Sequence, residues 1–228
     1  MRFVSFALLA MAFLVVASHT VVAQTDYSNR TATASLTAGP GVGFGASMII
    51  DPAKGTKVSP IFAFHIDAAS TYPLTPVISS SLNLGYESRG AKIRNEAESD
   101  IYSITRVGYF TINPGFQFSA FYIGMNFGLP MGGTVTSKGG PGSSEVSRDL
   151  TTDEEDKLET LMEPRLGAII PLLEDKTGWL GLTIMAGYSL NEMGDRGDNL
   201  TDDDGSFNMV AGYLGVTYQF AIPGTARN

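Results

Sequence analysis

Eight stretches of this chain put a bulky apolar side chain at every second position, with glycine, serine or a hydrogen-bonding residue between. A period of two belongs to β-strands, whose successive side chains point to opposite faces. The first stretch, Ser35 to Ser47, alternates Leu36, Ala38, Val42 and Phe44 with Thr37, Gly41, Gly43 and Gly45. The second sets Phe62, Phe64, Ile66 and Ala68 against Ala63, His65, Asp67 and Ala69. The third opposes Ile78, Leu82, Leu84 and Tyr86 to Ser79, Ser81, Asn83, Gly85 and Glu87. Later stretches place Phe110, Ile112, Phe116, Phe121, Phe127, Leu166, Leu182, Leu214 and Phe220 on one parity. Tyr109, Asn113, Gln117, Asn126, Glu163, Arg165, Thr183 and Tyr213 take the other.

Which parity faces inward decides the class. The apolar parity runs for about five alternate positions, the length of ~9–11 residues that a tilted strand needs to cross a bilayer. An eight-stranded barrel has an interior only just wide enough for ordinary side chains, too narrow for all of these Phe, Leu and Ile residues. Turned the other way, glycine, serine and polar groups fill the tube and the bulky set meets lipid. Hydrocarbon cannot satisfy an unpaired strand edge, so such a sheet must close on itself. Breaks near Tyr72–Pro76, Ser119 and Glu174–Gly178 are short, whereas those at 51–59, 89–100, 130–160 and 194–206 are longer. The expected fold is all-β: a closed antiparallel transmembrane β-barrel of about eight strands, with short periplasmic turns and longer extracellular loops.

The N-terminal segment reads as an address. Arg2, the apolar run Phe3 to Ala17, and Val21-Val22-Ala23 ahead of Gln24 follow the order of a secretory signal peptide, with cleavage expected after Ala23. The expected organisation is signal peptide 1–23, flexible segment 24–32, barrel 33–220 and tail 221–228, in the bacterial outer membrane. Cys is absent, so disulfides and a lipidated cysteine are excluded. The net charge is −8, and about −9 without Arg2 (14 basic against 23 acidic residues), which leaves no electrostatic footprint for nucleic acid.

Four segments carry a family resemblance. Leu82-Asn83-Leu84-Gly85-Tyr86-Glu87-Ser88-Arg89-Gly90-Ala91-Lys92 resembles the third-strand motif of the PorT-type bacterial outer-membrane β-barrel family, porin-like small barrels. Gly108-Tyr109-Phe110-Thr111-Ile112-Asn113-Pro114 resembles its fourth strand, with Thr111 where Glu is usual. Phe121-Tyr122-Ile123-Gly124 is similar to its fifth, and Tyr213 to Phe220 to its closing strand. The resemblance implies an outer-membrane location and a terminal aromatic, Phe220, read by the barrel-assembly machinery during insertion. Here Ala221 to Asn228 follow that aromatic, a departure from the pattern. No shared chemistry is implied.

Candidate site residues fall on the inward parity. His65, Asp67, Glu87, Arg89, Asn113, Glu163 and Arg165 are expected to form an interior polar network, because charges there must be paired and hydrogen-bonded. The lipid-facing set is Phe62, Phe64, Ile112, Phe116, Phe127, Leu182, Leu214 and Phe220. His65 with Asp67 suggests acyl-transfer chemistry, but the parity points His65 away from lipid, and the chain has no Gly-x-Ser-x-Gly elbow. The oxygen-rich run Asp195 to Gly205 invites Ca²⁺, yet Leu200 stands where an EF-hand has its first Asp, so a solvated acidic loop is expected. Arg196-Gly197-Asp198 spells an integrin-recognition triplet, a chance match in a polar loop. Thr152-Asp153-Glu154-Glu155 has capping-box spacing with Leu158, Leu161 and Met162 behind it, which predicts a short helix.

The expected role is structural or surface-interacting, without catalysis, cofactor or metal. The expected partners are membrane lipids, the assembly machinery and an unidentified extracellular molecule. A narrow pore or secretion-apparatus component is the alternative, followed by a membrane-embedded lipid-modifying enzyme that uses His65.

Overall fold

The computed structural model describes residues 36–222 except 51, 53, 76, 152–157, 175–176 and 192–207. Its strands are β1 (Thr37–Ile49), β2 (Thr56–Pro73), β3 (Ile78–Asn95), β4 (Ile101–Phe118), β5 (Phe121–Gly139), β6 (Val146–Leu150), β7 (Leu161–Glu174), β8 (Gly178–Tyr188) and β9 (Met209–Ala221). Eight of them close a ring in which every pairing is antiparallel. The seam joins the first and last strands, with Thr37 opposite Ala221 and Ile49 opposite Met209. The short β6 is not one of the eight: it pairs with the upper part of β5 from Gly133 to Ser137, on the edge that β7 occupies lower down.

Short turns and both ends of the strand array share one rim. There Ser119 takes φ 60° in the two-residue link from Phe118 to Phe121, and its amide donates to Val77 O at 2.9 Å. The opposite rim carries the longer connections.

Exposure alternates along each strand as in a barrel turned inside out. Phe62, Ile66 and Leu214 are 54%, 55% and 56% exposed, whereas Glu87, Arg89 and Glu163 are 0% exposed. Ile112, Phe116, Phe127 and Phe220 are also exposed, and Phe64 and Leu182 are half-buried on the same outer face. Neighbouring rings cover one another on this face. Phe44, Phe62, Phe64 and Tyr86 follow with centroids 6.0, 6.3 and 5.9 Å apart.

The strands outrun their sequence-based limits at the long-loop rim. Residues 56–59 are strand rather than loop, and β3 carries on through Arg89 to Asn95, leaving only residues 96–100 as connection. Likewise the expected loop 130–160 begins as β5 and turns back as β6. Above the apolar belt the outward parity becomes polar, so the period of two persists but the hydrophobic signal that marks it is lost. Leu161 and Met162, expected at the back of a short helix, belong instead to β7, one buried and one exposed in strand alternation, which shortens that expectation at its C-terminal end. The body of that expected helix with its capping-box residues, the acidic run 194–206 and the segments 1–35 and 223–228 lie outside the described residues.

Candidate functional site: the barrel interior

The interior is layered. At the long-loop end Ile49, Ala91, Val107, Tyr109, Leu150, Leu161 and Met209 form an apolar cap. Inward-facing apolar side chains at this end were not anticipated; they sit where the strands have passed beyond the narrow polar middle.

Below the cap lies a ring of four charges. β3 contributes Glu87 and Arg89 and β7 contributes Glu163 and Arg165, each pair two residues apart and so on one face of its strand. Arg89 bridges both carboxylates: one amino group bonds Glu163 Oε2, the other bonds Glu87 Oε1 and reaches Glu163 Oε1 at 3.1 Å. Arg165 does the same from the far side, donating Nε to Glu163 Oε1 at 2.6 Å and Nη2 to Glu87 Oε2. Two carboxylates and two guanidiniums therefore alternate, and the ring is neutral. Taking isolated ions out of water costs several kcal/mol each, so only this mutual pairing makes the layer tolerable.

Two further residues complete the ring, and sequence parity alone did not single them out. Asn126 on β5 donates Nδ2 to Glu87 Oε2 at 3.4 Å, and the Tyr213 hydroxyl on β9 donates to Glu87 Oε1. Tyr213 also lays its ring 5.7 Å from the Arg165 guanidinium. Their inward parity was legible, but which residues meet across a barrel depends on closure and shear, and neither is written locally.

Glycines make room for the ring and for what lies beneath it. A Cβ on Gly187 would stand 2.3 Å from the Glu163 carboxyl carbon, and one on Gly43 would stand 2.2 Å from the His65 ring.

On the short-turn side, His65 Nε2 lies 3.7 Å from Asp67 Oδ2, and the imidazole meets Tyr213 edge-on at 5.0 Å. Asn113 accepts from the Tyr122 hydroxyl at 2.8 Å, and Gln219 accepts from Thr37 at 2.6 Å. A cavity of about 30 Å³ bounded by His65, Asp67, Asn113, Arg165 and Gln219 remains. That volume holds about two water molecules. His65 and Asp67 thus adjoin the charge ring through Tyr213 and Arg165, while Asn113 sits lower in the tube. No hydroxyl nucleophile bonds to His65 among the described residues, and the described residues hold no cluster of three metal-ligating side chains.

No protein-family model matches the chain, and no curated protein sequence does. Solved structures are similar to it at low identity. Ail, the attachment invasion locus protein of Yersinia pestis, solved with the heparin analogue sucrose octasulfate, is 12% identical with a TM-score of 0.41, covering 82% of this chain and 99% of that one. Neisserial surface protein A is 12% identical with a TM-score of 0.33, over 81% and 99% of the two chains. The outer membrane protein OprG from Pseudomonas aeruginosa is 10% identical with a TM-score of 0.35, over 83% and 98%. The closed barrel rests on its own strand pairings rather than on these likenesses.

Proposed function

We propose that this chain is an integral outer-membrane β-barrel with a structural or surface-interaction role, its tube plugged rather than conducting. The inversion of exposure carries the reading: the charges are sealed inside a neutral ring while the large apolar side chains form an uncovered belt. In water such a belt far exceeds the few hundred Å² of apolar patch that a soluble monomer normally exposes. Facing hydrocarbon, it becomes the source of stability.

The plugged state is supported by the apolar cap above the charge ring and by the small cavity below it. A non-catalytic role is favoured by the inward direction of His65, away from any acyl chain. The ordered series of segments resembling the PorT-type family fits the same reading, as does an aromatic near the end of the last strand, Phe220, for the assembly machinery. The outer loops and β6 would meet the unidentified extracellular partner.

The test is membrane fractionation of the expressed full chain with heat-dependent gel migration, followed by planar-bilayer recording. Detergent-dependent extraction, a migration shift on boiling and a silent bilayer are expected. A folded monomer that stays soluble without detergent would overturn the membrane reading, and steady conductance would replace the plug with a pore.

A further inference from the structure

Above the apolar belt, the outer wall of β2 to β5 is cationic. Val58, Ala91, Ile93, Val107 and Val135 point into or pack against the interior cap, so the residues alternating with them point outward. Lys57, Arg94, Tyr102 and Lys138 stand in one cross-strand row. Ser59, Lys92, Ile104 and Thr136 form the next row toward the belt, and Gly90, Arg106 and Thr134 the one after. The chain carries a net charge of −8, so this grouping is not a by-product of a basic composition.

Lys57 is paired with a carboxylate, whereas the other four cations are held but not neutralised. Lys57 and Arg94 are direct register partners, a like-charge pairing that weakens a sheet. Glu96 meets Lys57 at 3.4 Å, and the Tyr102 hydroxyl donates to Glu145. Lys92 lies 3.8 Å above the Tyr102 ring, Arg94 bonds the Ser59 hydroxyl, and Arg106 donates to Phe62 O at 3.0 Å. Among the described residues, no carboxylate pairs with Lys92, Arg94, Arg106 or Lys138.

Their height fits a lipid headgroup. Arg106 is twelve residues along β4 from Phe118 at the short-turn rim. With a rise of ~3.4 Å per residue and a strand tilt of ~40°, that places it about 30 Å up, just above an apolar band ~25 Å tall. The aromatic strip Phe44, Phe62, Phe64 and Tyr86 lies below it on the same side.

We propose that the outer wall formed by Lys57, Lys92, Arg94, Arg106 and Lys138 binds the phosphorylated headgroup of an outer-leaflet lipid, whose acyl chains lie along the aromatic strip. The proposal rests on the membrane reading above. Spaced cations at this depth attract lipid phosphate, each by about 1 kcal/mol, and the strip below supplies the apolar half of the same ligand.

The full chain, folded in detergent micelles and checked by heat-dependent migration, is titrated with bisphosphorylated lipid A or with its dephosphorylated form. Bound lipid is counted by native mass spectrometry. The phosphorylated lipid should bind preferentially, and Lys92→Gln/Arg94→Gln/Arg106→Gln should weaken it on the order of 100-fold. Lys54→Gln, in the adjoining connection, should leave it unchanged. Inorganic phosphate, against chloride at equal ionic strength, should not displace the lipid. Equal binding of both lipids, an unaffected triple variant, an equal loss in the Lys54 control or displacement by free phosphate would each overturn the proposal while leaving the barrel reading intact. A chain that shows no detergent-dependent fold removes both.

Discussion

Glu163 accepts from both interior guanidiniums, and its carboxyl fits where it does only because Gly187, the register partner of Arg165, has no side chain. Removing its charge leaves the ring with one positive charge too many, buried and uncompensated. Glu163→Gln is expected to cost about 3–5 kcal/mol, read as a drop in the urea midpoint of the folded, detergent-bound protein. The paired change Glu163→Gln/Arg165→Gln restores neutrality and should cost less than the sum of the two single changes by about 1 kcal/mol or more; strict additivity would mean that the four charges do not act as one unit. Gly187→Val addresses space rather than charge, and overfilling this close contact is expected to cost about 1–3 kcal/mol by the same measurement.

At the scale of the strand, one residue step exchanges tube for belt. Leu214 and Thr217 lie on opposite parities of β9, one 56% exposed and the other buried. Leu214→Arg is therefore expected to lower stability in vesicles by about 2–4 kcal/mol, whereas Leu214→Ile should be nearly silent; indifference to the arginine would argue that this face does not meet hydrocarbon. The same alternation explains how much was legible beforehand. Phe62, Ile112, Phe127 and Leu214 announce their side because a bulky apolar residue recurs every second position, and Glu87, Arg89, Glu163 and Arg165 follow by parity. Beyond the belt, Lys92, Arg94, Thr134 and Thr136 take the outward places, and a strand whose outer face is polar reads as loop. The strand limits near Arg89 and Pro130 were lost for that reason. The contacts of Asn126 and Tyr213 were lost for another: they join residues of β3, β5 and β9, brought together only by the closed ring.

For the whole molecule, the cap and the charge ring stack across the tube among the described residues, and on the plugged reading proposed above a silent planar bilayer is the expected recording. The ring itself is fastened by a seam of unusual reach. Thr37 and Ala221 are neighbours across it, yet 184 positions separate them along the chain. Such distant contacts form slowly, because a long segment must be gathered before the pairing repays it. Every intermediate that lacks the seam exposes two raw edges, one on β1 and one on β9, each able to zip onto a stranger's strand. A ribosome-fresh copy therefore has no safe half-finished form. Both edges stay open until the first and last strands meet, and that one pairing closes them together.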